Sequence, residues 1–272
     1  MKLETKKNYR TKQDTTVTTA TIGGETVQST KTEWKRNVLL STPTLGWIRY
    51  EWSHSRYGQT IPINWGMQGF DLAYKTLGYG IDDAYNLIAA KALETRSQWL
   101  ITHEDDVILP IDAFVKIDRY ISKGDIPIVS GLYFAKAMPP QPLVFRGRGT
   151  GTYEDFKLGD KVWCDGLPMG FLLIHCSIIE WFWDNSPKYN LPTGEAVSRV
   201  FESPRKAWND KVGGYIKQSG TQDLYFFDRI YREDVFKKTG WGKYAKMKYP
   251  LLCDTGIYCR HVDRATGRMY PS

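Results

Sequence analysis

Gln98-Trp99-Leu100-Ile101-Thr102-His103-Glu104-Asp105-Asp106-Val107 is the stretch on which the fold turns. Gln98 to Thr102 read as a short strand that runs straight into His103 and the carboxylates. Three carboxylates follow at the C-terminal end of that strand, before any helix begins. Two like charges about 4 Å apart cost on the order of 1 kcal/mol in water and about 4 kcal/mol at an effective dielectric of 20. The cluster therefore calls for a cation or a solvated surface. Ligands bind at the strand ends of an open α/β sheet. Acidic oxygens there suit a hard cation such as Mg²⁺ or Mn²⁺, whose remaining positions go to phosphate oxygens and water. A solvated acidic turn, or a cap for the helix that begins near Asp112, accounts for the same three residues equally well.

Working outward, Asn37-Val38-Leu39-Leu40-Ser41-Thr42-Pro43-Thr44 reads as a buried strand that ends in a Ser-Thr-Pro loop. In Ile81–Leu93, the apolar positions 84, 87, 88 and 92 share a helical face, and Asp82 and Asp83 suit the helix N-terminus. Beyond the carboxylates, a helix is predicted over Ile111–Ser122 with Phe114, Val115, Ile117 and Ile121 as its stripe, then a buried strand over Ile126–Tyr133. Strands alternating with helices at this spacing predict an α/β fold with a mostly parallel central sheet and crossover helices. The second half predicts a smaller antiparallel region. Short strands near Pro142–Arg146 and Lys161–Cys164 flank the loop Gly147–Gly151. Gly170–Cys176 is a strand, Thr221–Glu233 a helix, and Leu251–His261 closes the chain.

Residues 1–36 stand apart as a polar arm or hairpin, rich in Thr and Lys, with residues 37–272 forming one domain. Thr15–Thr32 alternates weakly around Ile22-Gly23-Gly24-Glu25, where paired glycines favour a tight turn. The expectation is a mobile arm or a polar two-stranded flap. Apolar residues are 42% of the chain and charged residues 25%, the balance of a soluble globular protein. The net charge of +7 makes the surface attractive to polyanions, nucleic acid included, yet no single run of five or six basic residues marks a binding groove. There is no membrane span and no apolar leader, so a cytoplasmic location is expected. Cys164, Cys176, Cys253 and Cys259 form no C-x-x-C pair and are expected to be free thiols.

From Val38 to His261 the order of motifs resembles the GT-A glycosyltransferases. The matching pieces are Ser41-Thr42-Pro43, Tyr85-Asn86, Glu104-Asp105-Asp106 in the place of D-x-D, Asp165-Gly166-Leu167-Pro168-Met169-Gly170-Phe171, Thr221-Gln222-Asp223-Leu224, and His261. The resemblance implies a Rossmann-like GT-A sheet and a metal-dependent transfer of sugar from a nucleotide sugar, a UDP-sugar above all, to an acceptor hydroxyl. It implies Asp106 as direct ligand of Mn²⁺ or Mg²⁺, with His261 as second ligand and Glu104 at the other outer place of the motif. Thr42, Pro43, Asn86 and Asp82 or Asp83 would border base and ribose, and Asp105 stands inside the donor-binding motif. Met169, Gly170 and Phe171 would shape the sugar and acceptor side, and Asp223 would be the base of an inverting enzyme. The sequence departs from the family at Glu104, one methylene longer than Asp; at Tyr85, where Arg is frequent; and at Gln222, where Glu often precedes the catalytic Asp.

Other readings stand beside these. His261 with Cys259 and Asp263 suggests zinc, without the second short-spaced pair that zinc needs. Asp223 also suits a helix cap. His103 and His175 lie in apolar runs and read as structural. Arg146 and Arg148 around Gly147–Gly151 suit either a phosphate cradle or a flexible loop. Trp47, Trp52 and Trp65 suit either acceptor platforms or core. The acceptor is a glycan, a protein, a lipid-linked sugar or modified DNA, with hydroxymethylated bases of a viral genome as one candidate. The competing functions are a Mg²⁺-dependent nucleotidyltransferase on a similar sheet and a nucleic-acid-binding module, which would leave the carboxylates without a purpose.

Overall fold

The structure, a computed structural model, describes residues 14–22, 25–33, 36–66, 74–147, 151–209, 214–218 and 220–272. Its centre is a sheet whose strands we label β1 (Arg36–Thr44), β2 (Tyr74–Leu77), β3 (Trp99–His103), β4 (Ile128–Leu132), β5 (Lys161–Cys164), β6 (Phe171–His175) and β7 (Leu251–Tyr258). Among the described residues, five helices of eight or more residues accompany it: α1 (Tyr50–Tyr57), α2 (Ile81–Glu94), α3 (Ala113–Lys123), α4 (Cys176–Asn185) and α5 (Gln222–Arg232). The strand order is β5-β7-β4-β6-β3-β1, with β2 and the short strand Trp65–Gly66 both on the outer edge of β1. β1, β2 and β3 run parallel, as do β4 and β7, while β6 is antiparallel to both its neighbours and β5 to β7. The expected α/β sheet is therefore present, mixed in direction.

Alternation along the strands divides the core in two. Leu100, Ile128, Leu172 and Ile174 face α2, α4 and α5, through Ile88, Phe182 and Phe226 among others. Trp99, Ile101, Val129, Phe171 and Leu173 face α3, through Phe114, Ile117 and Ile121. Because both sheet faces are covered, every residue of β3, β4 and β6 is buried and these strands read as continuous apolar runs. Of the expected α3 stripe, Phe114, Ile117 and Ile121 are buried while Val115 is exposed, and the helix ends at Gly124, whose φ of +62° is the left-handed cap that glycine fills without strain.

One boundary differs in a way that matters. Ser41-Thr42-Pro43 is not a loop but the continuation of β1, paired with Tyr74–Thr76 of β2. Pairing with β3 stops at Ser41, so Pro43 lies where no N–H is needed on that side. The predicted hairpin near the N-terminus is formed by Asp14–Ile22 and Glu25–Glu33, with Ile22 opposite Glu25; residues 1–13 and the two glycines themselves lie outside the described residues. Short antiparallel pairs also occur at Lys188–Asn190 with Ala196–Ser198 and at Arg205–Asn209 with Gly214–Gln218. The four thiols are free and buried. Among the described residues, no helix is long and apolar enough to cross a membrane.

Candidate functional site

The carboxylates leave the C-terminal end of β3, and four other segments meet them there. The chain after β7 folds back as a short strand, Arg260–Val262, between Val107–Ile108 and Met269–Tyr270. That pairing sets His261 opposite Val107, and Val262 N–H donates to the Asp106 carbonyl at 2.8 Å. The end of β1 contributes Thr44, the segment after β4 contributes Tyr133, Phe134 and Lys136, and α2 contributes Tyr85.

Asp106 is the focus. Lys136 Nζ donates to its Oδ2 at 2.6 Å, and His261 Nε2 lies 3.5 Å from the same oxygen. The other ring nitrogen of His261, Nδ1, is 2.9 Å from the Phe134 carbonyl. A carbonyl accepts only, so Nδ1 carries a hydrogen, and Nε2 is the nitrogen turned toward Asp106. Burial works to raise the Asp106 carboxyl, but His261 and Lys136 outweigh it and hold the group well below the usual carboxylate range. Oδ1 of Asp106 is buried and has no hydrogen-bond partner among the described residues.

Asp105 is different: both its oxygens are engaged. Arg264 Nη1 donates to Oδ1 at 2.9 Å and to Oδ2 at 3.1 Å, and Thr44 Oγ1 donates to Oδ2 at 2.6 Å. Asp105 therefore ties the C-terminal segment to the ends of β1 and β3, a tethering role that the sequence reading did not give it. Glu104 accepts from the Tyr85 hydroxyl at 2.8 Å. Loss of hydration, then the neighbouring Asp106 charge, push its carboxyl up to about 8, so it is neutral at pH 7. Its Oε1 is taken by Tyr85, and its carboxyl lies close enough to Asp106 to feel that charge. Asp223 sits in the first turn of α5, where the Leu224 N–H donates to its Oδ1 at 2.7 Å and Thr221 bonds the same oxygen. Burial raises its carboxyl, and its charge is felt at Glu104, Tyr85 and Tyr133, so α5 does bring it to this end of the sheet. Capping-type contacts and proximity to the cluster thus coexist at Asp223.

Several expected donor contacts are spent inside the protein. Thr42 is instead withdrawn by burial within β1, its hydroxyl without a hydrogen-bond partner among the described residues, and Pro43 lies beside it in the same strand. Asn86 uses its whole amide: Nδ2 donates to the Tyr189 hydroxyl and the Phe201 carbonyl, both at 3.0 Å, and Oδ1 accepts the Phe201 N–H at 2.8 Å. Asp82 accepts from Ser203 N–H at 2.9 Å and from its hydroxyl at 2.7 Å, while Asp83 accepts from Tyr189. Asp82, Asp83 and Asn86 nonetheless wall one cleft of about 460 Å³ together with Tyr189, Arg199 and Arg205. Met169 and Phe171 point into the core. Gly170 has a steric reason to be glycine, since a Cβ there would lie 2.4 Å from Tyr133 Oη and 2.7 Å from Val107 Cγ2.

The aromatic candidates separate cleanly. Trp47 is 84% exposed, next to the end of β1, whereas Trp52 (1%) and Trp65 (6%) are core. Trp52 packs on the His103 ring at 4.8 Å between centroids and donates its indole N–H to the Glu104 carbonyl at 2.7 Å. His103 is buried and neutral, its pKa driven down to about 3 by loss of hydration. His175 caps α4 by accepting Ser177 N–H. Both histidines are structural, as expected. Arg146 is stacked on Tyr153 at 3.5 Å and on Tyr249 at 4.6 Å, which commits it to packing; Arg148 lies outside the described residues. The Cys259 thiol is buried beside the Ile257 carbonyl, and Asp263 closes a turn on Thr266, so neither reaches toward His261 as a zinc site would need.

No group of three or more His, Cys, Asp or Glu side chains among the described residues could hold a metal ion. The two that approach each other directly, Asp106 and His261 at 3.5 Å, fit a hard cation that takes its other positions from phosphate and water. The buried, unpartnered Oδ1 and the ring fixed through Nδ1 are the observations that support this fit. Lys136, Tyr133 and Arg264 escaped the sequence reading. Tyr85 was visible only as a departure from the family.

No family model matches the chain, and no curated protein matches it. Among solved structures it is similar to A197 from STIV, with a TM-score of 0.48 and 16% identity over 86% of this chain and 92% of that one. We draw nothing from a likeness of that degree.

Proposed function

We propose that the chain is a glycosyltransferase of the GT-A kind, moving a sugar from a nucleotide-sugar donor, a UDP-sugar first among them, to an acceptor hydroxyl. One observation carries the reading: Asp106, His261, Glu104 and Asp223, drawn from three distant segments, converge at one end of the sheet, where Asp106 keeps one buried oxygen unpartnered among the described residues. In such a transfer the bond between the anomeric carbon and the diphosphate breaks while the acceptor oxygen bonds to that carbon. A divalent ion, Mn²⁺ or Mg²⁺, held by Asp106 and His261 would offset the charge that develops on the departing diphosphate. Asp223 would take the acceptor proton, and its burial, by raising its carboxyl, makes it a stronger base than an exposed aspartate. Glu104, neutral and bonded to Tyr85, keeps a third negative charge out of the site at pH 7. The exposed Trp47 offers a flat face at the rim for an acceptor ring.

The test is donor hydrolysis. Purified protein with Mn²⁺ is given a panel of UDP-, GDP- and other nucleotide sugars and scored for released nucleoside diphosphate, with Asp106→Ala alongside. Release that depends on the metal, uses one donor and is lost in the variant is the expected result. No release and no metal-dependent binding of any donor overturns the reading and leaves the nucleotidyltransferase.

A further inference from the structure

Asp105 and Asp106 are adjacent buried aspartates, each paired with a cation from a distant segment, and the two pairings differ in kind. Asp105 has both oxygens occupied by Arg264 and Thr44, the complete set that a structural ion pair needs when water is excluded. Asp106 has one oxygen crowded and the other bare. Oδ2 is faced by both Lys136 and His261, and the buried Oδ1 has no partner among the described residues. A buried acceptor left unsatisfied costs stability, so a pairing selected for stability alone would have filled it.

The segment that carries Lys136 is firmly held. The Phe134 carbonyl orients His261, Phe134 bridges to Pro142, and Ala135 N–H donates to the Gln141 carbonyl at 2.8 Å. Its side chain is less confined: Lys136 is 27% exposed, against 12% for Asp106, and its flexible four-carbon stem can turn a point charge toward a new partner. Lysine is also a residue that binds phosphate as a point charge rather than through a fixed fork.

Resting on the glycosyltransferase reading, we propose that Lys136 is a displaceable counter-ion. Its ammonium neutralises Asp106 while no divalent cation is bound, and it passes to the donor's diphosphate when a cation takes that carboxylate. Lys136 would thus oppose metal binding and favour nucleotide binding. A lysine that merely stabilises the fold would affect the two in the same direction or not at all.

Isothermal titration of the full chain tests this with Mn²⁺ alone, then with UDP and with GDP at saturating Mn²⁺. Lys136→Met is expected to bind Mn²⁺ about tenfold tighter and the nucleotide about tenfold weaker, the span of one charge-assisted hydrogen bond. Lys136→Arg, which keeps the charge, is expected to recover most of the nucleotide affinity. If Lys136→Met does not fold, wild-type protein with reductively ¹³C-methylated lysines serves instead, with the Lys136 signal assigned through Lys136→Arg. That signal should shift on adding Mg²⁺ and again on adding UDP or GDP. A wild type that binds neither Mn²⁺ nor nucleotide overturns the glycosyltransferase reading and the exchange with it. A wild type that binds both overturns the exchange alone if the variant's two affinities move together or stay put, or if the lysine signal is indifferent to Mg²⁺.

Discussion

Replacing Gly170 with alanine should disturb the site from beneath, through packing alone. The added Cβ would lie 2.4 Å from Tyr133 Oη, 2.8 Å from Tyr133 Cζ and 2.7 Å from Val107 Cγ2, all far inside van der Waals contact. The Gly170 N–H also donates to that same hydroxyl at 2.6 Å. Tyr133 is buried, so its ring cannot swing out to water. Overpacking of this kind costs about 1–3 kcal/mol, and a lost buried hydrogen bond adds about 1 kcal/mol, which gives roughly 2–4 kcal/mol in all. Urea denaturation of wild type, Gly170→Ala, Tyr133→Phe and the double variant forms a cycle. The double variant should be more stable than the sum of the single changes predicts, because removing the hydroxyl removes the closest clash. Function should follow, since the Tyr133 ring stands edge-on to His261 at 5.4 Å, and a displaced ring moves that histidine. A Gly170→Ala protein within about 0.5 kcal/mol of wild type, or a strictly additive cycle, would refute the packing argument.

Two more outcomes are expected. Glu104 is protonated in the folded chain up to about pH 8 but only up to about 4.5 when unfolded; the folded state holds the extra proton between these values, so this group's contribution to stability falls as pH rises from 4.5 to 8, by at most about 1.4 kcal/mol per pH unit. Glu104→Gln should flatten that stretch of a urea-midpoint profile, and an unchanged slope would count against the neutral Glu104. Arg264→Ala leaves the buried Asp105 with Thr44 as its side-chain donor and should cost about 1–3 kcal/mol, part of which Asp105→Asn in the same chain should restore; a loss under about 0.5 kcal/mol would show that the tether contributes little.

What could be read beforehand, and what could not, divides on physical lines. β3, α3 and β4 were legible because a short apolar run and a 3.6-residue stripe are local patterns. Asp106 and His261 were legible as a pair only through the order of motifs. Their meeting depends on Arg260–Val262 pairing with Val107–Ile108, a contact across the whole chain that no local pattern encodes. Thr42 was the natural choice at the end of β1, but β2 extends that strand to Thr44. Thr44 shares the face of Thr42 two residues further along, at the strand end, and it is Thr44 that reaches Asp105. Asn86 has the right chemistry to hold a ribose, and nothing in its own sequence reveals that Phe201 already occupies both ends of its amide. Trp47, Trp52 and Trp65 are alike as letters; only the packed chain separates the exposed one from the two in the core. Lys136 follows a strand like any surface lysine, and its pairing with Asp106 rests on the parting of β3 and β4 by β6.

That last arrangement has a consequence in time. β6 hydrogen-bonds to β3 on one side and to β4 on the other, and it lies after both of them in the chain. During synthesis β3 and β4 emerge with the edges that will face each other still bare, and they stay so until residues 171–175 arrive to fill the gap. Unpaired strand edges are where nascent chains stick to one another, and a pairing that must wait for distant residues forms slowly. The strand that wedges the sheet open thus acts as its keystone: until it is set, the acidic cluster at the end of β3 has no finished wall behind it.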